Sequence, residues 1–160
     1  MLPSNPGAST QMRAHIQPMA RIELRLPQSL PFTTEIDVRV TDMNYGAHLG
    51  NDAMLSLIHE ARWRFFRSNG MTEGDVCGAR LVLADAAIVY KKEAFAGDRL
   101  RFEVGVFDVA RVSCDLAYRA IRASDGALVA EAKTGLVFLD PVSGRPIAVP
   151  DRIRELAVAQ

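Results

Sequence analysis

One segment of the chain has the periodicity of a long helix, and the segments around it alternate like strands. Between Asn51 and Asn69, apolar residues recur every three to four positions, which is the spacing of an amphipathic α-helix. A lone helix of about five turns can bury its apolar side only against a sheet made by the rest of the chain. The pattern therefore predicts an α+β fold. Asn51 or Asp52 can cap the first turn of this helix, and Gly70 suits its C-terminal end.

The segments on either side of this helix have the two-residue period of half-buried strands. Residues 34–41 alternate before the helix, and four further strand patterns follow it at 81–90, 100–106, 112–121 and 128–139. Because tight turns separate these four, we expect them to form an antiparallel meander. The closing segment DRIRELAVAQ either forms a short helix or frays.

Composition and charge exclude several classes of protein. The chain has 160 residues, 49% hydrophobic and 24% charged, which is typical of a globular protein. Residues 1–20 contain no unbroken apolar run, so we predict a flexible tail without a signal peptide, followed by one domain over 21–160 and no membrane partner. With 19 basic and 19 acidic residues the formal net charge is zero, which gives no support for nucleic-acid binding.

The cysteines and histidines do not indicate a metal site. Cys77 and Cys114 form no CxxC pair, and the three histidines are dispersed without HxxxH spacing. Two unpaired thiols are typical of a reducing compartment. We therefore expect a cytoplasmic protein that holds no metal.

Polar residues are concentrated between the first strand and the helix. The stretch TDMNYGAHLGND, residues 41–52, contains aspartate, asparagine, histidine and glycine immediately before the apolar helical pattern. The first N–H groups of a helix lack intrahelical partners and lie at its positive end. N–H groups from Gly50 to Asp52 are therefore suited to bind the oxygen of a polarised carbonyl, and Gly50 has no side chain to block its approach. The structural alternative is a plain helix start.

The order of these segments, with four short motifs, resembles a known family. The motifs DMNYGAHLGN, HEAR, IVYKKEAFAGDRL and VFLDPVSGRPIAVPDRIR lie within residues 32–154. They are similar to the hotdog-fold acyl-CoA thioesterases of the 4-hydroxybenzoyl-CoA thioesterase superfamily. The resemblance implies a long central helix wrapped by a curved antiparallel sheet, and homodimers paired through sheet edges, with acyl-CoA sites at the interface. Many members pair again into homotetramers. Coenzyme A is implied only as part of the substrate, with no separate cofactor.

The family loop resembles D-x-D-x-x-G-H-V-N-N, in which the second carboxylate acts on the thioester as nucleophile or base. Asp42 matches the first carboxylate, His48 the histidine and Asn51 the last asparagine. Asn44 lies where the second carboxylate is expected, and an amide cannot remove a proton from water. The glycine is also displaced, since Gly46 comes one place early.

Asp42, Asp52 and Glu60 are the carboxylates available to replace the missing one, and Asp42 and Glu60 are the candidates. Glu60 lies about two and a half turns into the helix, where other branches of the superfamily carry a catalytic carboxylate. Its structural alternative is an i,i+4 ion pair with Arg64. Asp42 either acts directly or orients Asn44 or His48 by hydrogen bonding. His48 is predicted to donate to the leaving thiolate or to the thioester, unless backbone groups satisfy its ring.

Substrate-binding residues are predicted from charge and helix position. Coenzyme A carries phosphates, which basic side chains bind at a pocket mouth. Lys91, Lys92 and Arg62 are candidates for this role, with ordinary solvated charges as the alternative. Leu55 and Ile58 are candidates to line an acyl tunnel, with core packing as the alternative.

Three functions are consistent with these residues. The first is an acyl-CoA thioesterase, which releases coenzyme A and a carboxylic acid. The second is a noncatalytic acyl-thioester binding protein, in which Asn44 marks the lost base. The third is an enoyl-CoA hydratase or dehydratase of the hotdog superfamily, whose D-x-N-P-x-H loop resembles Asp42, Asn44 and His48. For this third function the proline is absent and the histidine comes one residue late.

Overall fold

The computed structural model describes residues 22–159, so the predicted tail at 1–20 lies outside the described residues. Within that range, one long helix and one short helix accompany a five-stranded antiparallel sheet. The α+β prediction is confirmed. The strands are β1 (Phe32–Asp37), β2 (Arg80–Tyr90), β3 (Arg99–Phe107), β4 (Ser113–Arg122) and β5 (Leu128–Leu139), and the helices are α1 (Asn51–Ser68) and α2 (Asp151–Glu155).

The strand order in the sheet is β1-β3-β4-β5-β2. Strands β3, β4 and β5 form the predicted meander, but β2 pairs with β5 and not with β3, so the four-strand meander was wrong at its first step. Strand periodicity indicates which residues face the core, whereas it does not determine the neighbouring strand, and consecutive strands are not always neighbours. Strands β1 and β2 therefore form the two edges of the sheet.

The apolar side of α1 packs against the sheet, as its periodicity predicts. The buried residues of this side are Met54, Leu57, Ile58, Ala61, Phe65 and Phe66. Inside the sheet, the hydroxyls of Tyr118 on β4 and Thr134 on β5 are 2.8 Å apart, so the two buried polar groups satisfy each other. Burial raises the pKa of Tyr118 to about 12, and the nearby Arg62 guanidinium opposes that rise.

The two ends of α1 differ in how well the sequence predicts them. Gly50 is the N-cap residue, and no side chain caps the first turn, so the predicted caps at Asn51 and Asp52 were wrong. A capping residue must have a non-helical backbone, and both residues lie inside the helix. At the other end Gly70 has a φ of 73°, the left-handed conformation typical of a helix end, as predicted. Strand β1 also ends earlier than predicted, at Asp37, and a short 3-10 turn at Val40–Asp42 follows.

The two cysteines differ in their exposure to solvent. Cys77 is exposed and Cys114 is buried, and burial raises the pKa of Cys114 to about 12.

Within residues 22–159 no three potential ligands among His, Cys, Asp and Glu cluster at a site able to hold a metal ion. No helix of the same range is long and apolar enough to cross a membrane.

Candidate active site

The polar motif forms a hairpin, residues 43–49, between β1 and α1. Met43 and Leu49 form a bridge at its base. The Leu49 N–H also donates to the Ala94 carbonyl, with an N–O distance of 2.8 Å. This bond holds the loop between β2 and β3 against the hairpin. The polar hairpin, the start of α1 and the β2–β3 loop thus meet at one end of the sheet.

Hydrogen bonds inside the polar hairpin determine how His48 presents its ring. The Asn44 side-chain oxygen accepts from the Gly46 N–H at 2.8 Å. The Asn44 side-chain nitrogen therefore faces the ring, 3.1 Å from His48 Nε2. Because an amide nitrogen only donates, Nε2 is the acceptor and the proton lies on Nδ1. Nδ1 in turn donates to the Gly46 carbonyl at 3.2 Å, so both ring nitrogens are bonded within the hairpin.

Steric contacts explain why the glycine of the motif lies at position 46. A Cβ atom at Gly46 would lie 2.8 Å from His48 Cε1 and 3.2 Å from Asn44 Oδ1, so a side chain there would displace the ring. Ala47 provides the left-handed residue of the turn, with a φ of 58°. That conformation costs a non-glycine residue about 1–2 kcal/mol. The early glycine thus leaves room for the histidine, and the alanine adopts the strained turn.

The start of α1 provides N–H groups, although fewer than predicted. The Gly50 N–H donates to the Asp42 carbonyl at 2.9 Å, so it is not free to bind an oxyanion. The next N–H groups, those of Asn51, Asp52 and Ala53, have no intrahelical acceptor, and no side chain caps them. They lie at the positive end of the helix macrodipole and can polarise a carbonyl. Gly50 contributes space, since a Cβ there would lie 2.7 Å from Asp52 Oδ1.

A cavity of about 220 Å³ opens beside the start of α1. Four of the predicted site residues, His48, Asn51, Lys91 and Lys92, line it together. Lys91 also forms an ion pair with Glu131 at 3.1 Å. The remaining lining residues are Leu49, Met54, Tyr90, Glu93, Ala94 and Val129. The cavity therefore combines apolar side chains with two lysines and includes Asn51, the first residue of α1.

Arg39 holds Asp42 outside this cavity. The Asp42 side chain is 6% exposed, and its oxygens accept from the main-chain N–H, Nε and Nη2 of Arg39 at 2.8, 3.1 and 2.9 Å. Burial alone would raise the pKa of Asp42, but the hydrogen bonds and charge of Arg39 outweigh burial and lower it. Among the described residues its carboxylate bonds neither Asn44 nor His48. The geometry therefore supports a structural role for Asp42.

Glu60 lies away from the cavity as well. Its carboxylate accepts from Arg64 Nε at 2.8 Å, so the i,i+4 pair described as the structural alternative is present. Arg64 also donates to the Thr34 hydroxyl and the Glu35 carbonyl on β1. Along the helix axis, Glu60 is roughly 14 Å from Asn51. Glu60 lines two other pockets of about 400 and 420 Å³, one on α1 and one between α1 and β1, and neither includes the helix start.

Three residues predicted to contact substrate lie outside the cavity. Arg62 is 6% exposed and donates from Nε to Glu73 at 2.6 Å, so it is buried and not at a pocket mouth. Burial alone would raise the pKa of Glu73, but Arg62 and the imidazole of His59 lower it. Ile58 belongs to the core, which corrects its expected place in an acyl tunnel. Leu55 faces outward on α1 and is 39% exposed.

Of the six cavity residues that were not predicted from the sequence, two are polar, Tyr90 and Glu93. The Tyr90 hydroxyl donates to the Asn51 carbonyl at 3.1 Å, and burial together with the Asp52 charge raises the pKa of Tyr90. Glu93 Oε1 lies 3.9 Å from His48 Nδ1. Both positions depend on the contact that folds the β2–β3 loop onto the polar hairpin, which periodicity does not reveal. Their only sequence signal is proximity to the lysine pair in VYKKEA.

Comparison with known families gives one match that covers most of the fold. Residues 38–156 match the thioesterase-like superfamily. This span begins just before the polar hairpin and ends after α2, so it contains all the cavity-lining residues. No curated protein matches this chain in sequence.

Solved structures of similar fold include several thioesterases. A 1,4-dihydroxy-2-naphthoyl-CoA thioesterase from Synechocystis has a TM-score of 0.70 and 22% identity, over 78% of this chain and 93% of that chain. A thioesterase-superfamily structure from Jannaschia sp. CCS1 has a TM-score of 0.72 and 20% identity, over 81% and 82%. A thioesterase from Thermus thermophilus, in complex with coenzyme A and zinc, has a TM-score of 0.66 and 25% identity, over 80% and 98%. These similarities confirm the predicted hotdog fold.

Proposed function

The chain belongs to the thioesterase-like superfamily, and on that premise we propose that it is an acyl-CoA thioesterase, a hydrolase that converts an acyl-CoA thioester to coenzyme A and a carboxylic acid. The observation that carries this proposal is the cavity of about 220 Å³ at the start of α1. Free helix N–H groups face developing negative charge there, as the tetrahedral intermediate of thioester hydrolysis requires.

The charges at the cavity support a coenzyme A ester as the substrate class. Lys91 and Lys92 line the cavity at the end of β2, where they can bind phosphate groups while the thioester reaches the helix start. The Thermus thermophilus thioesterase of similar fold was solved with coenzyme A. We propose no cofactor beyond the coenzyme A carried by the substrate.

We also propose a homodimer paired through the β2 edge, and a homotetramer formed by two such dimers. Strand β2 is one edge of the sheet, and edge strands present unpaired N–H and C=O groups to a partner strand. Most of its residues are exposed, including the apolar side chains of Val82 (39%) and Leu83 (43%). Because Tyr90 at the end of β2 lines the cavity, such a dimer places the site next to the subunit interface.

One observation favours a second function, that of a noncatalytic acyl-thioester binding protein. The polar hairpin provides no carboxylate to the cavity, since Asn44 replaces the family carboxylate and Asp42 is bonded to Arg39. A protein with this pocket and no base would bind the thioester without cleaving it. The hydratase alternative has less support, because it requires Asp42 and His48 to act together and Asp42 bonds Arg39.

The test is thiol release by the full chain from short, long and aromatic acyl-CoAs, measured with a thiol-reactive dye after the exposed Cys77 has been titrated. We expect release that is proportional to protein concentration. We also expect Lys92→Glu to lower kcat/KM for acyl-CoA roughly tenfold, since it replaces a cation that binds phosphate. Acyl-N-acetylcysteamine thioesters lack those phosphates and should be affected much less.

The matched control is Arg145→Glu, a charge reversal of an exposed residue outside the cavity, which should leave both rates unchanged. Acyl-CoA binding without thiol release from any substrate would contradict hydrolysis and support the binding protein. Equal losses for acyl-CoA and the phosphate-free thioester in Lys92→Glu would contradict the assignment of Lys92 to phosphate.

A further inference from the structure

We propose that Glu93 is the carboxylate that activates water in this site, in place of the loop carboxylate that Asn44 does not provide. This inference rests on the proposed thioesterase function and deepens it by assigning the base. Thioester hydrolysis needs a group that accepts a proton as water attacks the carbonyl carbon. No carboxylate of the polar hairpin or of α1 lines the cavity in the described part of the chain.

Glu93 is the only carboxylate residue among those lining the cavity formed by residues 22–159. The two carboxylates expected from the sequence have other partners. Asp42 is bonded by three donors of Arg39, and Glu60 is paired with Arg64 roughly 14 Å along α1 from the helix start.

The β2–β3 loop holds Glu93 in a defined place. The next residue, Ala94, is 1% exposed, and its carbonyl accepts from the Leu49 N–H at 2.8 Å. One residue further on, the Phe95 N–H donates to the Asp98 carboxylate at 2.9 Å. The backbone on the C-terminal side of Glu93 is therefore fixed against the hairpin, while the Glu93 side chain keeps 65% exposure and is accessible to water.

Both ring nitrogens of His48 are hydrogen-bonded within the hairpin, so Glu93 is the remaining group that can accept the proton. Glu93 Oε1 lies 3.9 Å from His48 Nδ1, beyond hydrogen-bond distance, so the carboxylate forms no hydrogen bond with the ring. Nδ1 carries the proton because Asn44 donates to Nε2, and Nδ1 donates that proton to the Gly46 carbonyl, so neither ring nitrogen is free to accept a proton from water. Asn44 and His48 thus bond each other and the Gly46 backbone, and neither of them provides the base.

The reaction assigned to Glu93 is balanced as a hydrolysis. The Glu93 carboxylate accepts a proton from water as the water oxygen bonds to the thioester carbon. The carbonyl electron pair moves to oxygen, and the N–H groups of Asn51 to Ala53 stabilise that negative charge. When the carbonyl re-forms, the C–S bond breaks, and the departing sulfur takes the proton from Glu93. The products are a carboxylic acid and the free thiol of coenzyme A, and Glu93 is regenerated.

The test compares Glu93→Gln with wild type in the thiol-release assay, with binding of a thioether analogue of acyl-CoA measured separately. We expect kcat to fall about 100-fold or more, because a general base contributes that much, while analogue binding changes little. The matched control Glu155→Gln removes an exposed carboxylate on α2 and should leave kcat unchanged. Glu93→Asp keeps a carboxylate one methylene shorter and should fall between wild type and Glu93→Gln.

The outcomes separate this inference from the proposed function. Thiol release by wild type that Glu93→Gln retains overturns the assignment of Glu93 alone. Loss of release in Glu60→Gln, with Glu93→Gln unaffected, assigns the base to α1 instead. Absence of release by wild type overturns the thioesterase function and this inference together. If Glu93→Gln fails to fold, the decision passes to Glu93→Asp, for which an unchanged kcat contradicts the proposal.

Discussion

Asp42, which directly precedes the polar hairpin, forms hydrogen bonds that its place in the family motif does not suggest. Asp42 matches the first carboxylate of the thioesterase loop, yet its oxygens accept three hydrogen bonds from Arg39. Its main-chain carbonyl accepts from the Gly50 N–H at 2.9 Å, directly before α1. Asp42 therefore closes the 3-10 turn and fixes the start of the helix. These bonds support a structural role for Asp42 at the start of α1.

We predict that Asp42→Asn lowers the free energy of unfolding by about 1 kcal/mol near pH 7, the upper end for an ion pair whose cation, Arg39, is largely exposed to solvent. Arg39 lowers the pKa of Asp42 in the folded protein below its ordinary value of 3.8. The stabilisation is therefore complete above pH 3.8 and is lost as pH falls through the lower folded value. Urea denaturation of both proteins at several pH values measures this. A difference that persists unchanged in strong acid would contradict it.

The sequence identifies the polar residues of the hairpin, but it does not show which of their side chains point into the cavity. His48, Asn51, Lys91 and Lys92 reach the cavity because they are close in sequence to the elements that form it. Glu93 reaches it only because the Leu49–Ala94 bond joins two segments distant in sequence. A contact of this kind leaves no periodic pattern in the sequence. The carboxylates chosen as candidates from the sequence were therefore those with counterparts in the family.

At the level of elements, α1 is fixed to its surroundings by an ion pair in addition to its apolar side. Arg62 on α1 donates to Glu73 in the loop before β2, and the two side chains are 7% and 26% exposed. Helical periodicity predicts most of the buried apolar positions of α1, although Leu55 is 39% exposed. It does not predict a buried arginine, because a charge is buried only where a partner from another segment meets it.

We predict that Glu73→Gln lowers the free energy of unfolding by about 2–3 kcal/mol, since it leaves the Arg62 charge buried without its partner. The partial exposure of Glu73 makes this less than for a fully enclosed pair. Glu60→Gln is the matched control on the same helix, because its exposed pair with Arg64 should be worth less than about 1 kcal/mol. Urea denaturation gives both values, and equal effects in the two variants would contradict the prediction.

At the level of the whole molecule, the two edges of the sheet are unequal. Strand β2 has 11 residues and is mostly exposed, whereas β1 has six and is also bonded by Arg64 of α1. A dimer with two-fold symmetry repeats each interface residue on both sides, so a charge introduced on β2 meets its own copy or lies near it. A dimer paired through β2 would therefore be sensitive to substitutions on this strand.

We predict that wild type sediments at twice the chain mass of 17.5 kDa, or at a higher multiple if two dimers pair. The double variant Val82→Asp, Leu83→Asp should sediment as a monomer, because like charges oppose each other across the symmetric interface. Val142→Asp is the control, since Val142 is 94% exposed and lies outside β2. A monomeric wild type, or a double variant that remains dimeric, would contradict pairing through β2.

The strand order also has a consequence for the path by which the protein folds. The meander of β3, β4 and β5 contains short-range contacts, whereas β1 must wait for β3, and β2 must wait for β5. Pairings between segments distant in sequence form slowly, because the intervening chain must be ordered first. The polar hairpin follows β1, and the loop that carries Glu93 follows β2. The segments on both sides of the cavity thus follow strands that join the sheet late, and a chain still emerging from the ribosome has no complete cavity until β5, which carries Val129, has been synthesised.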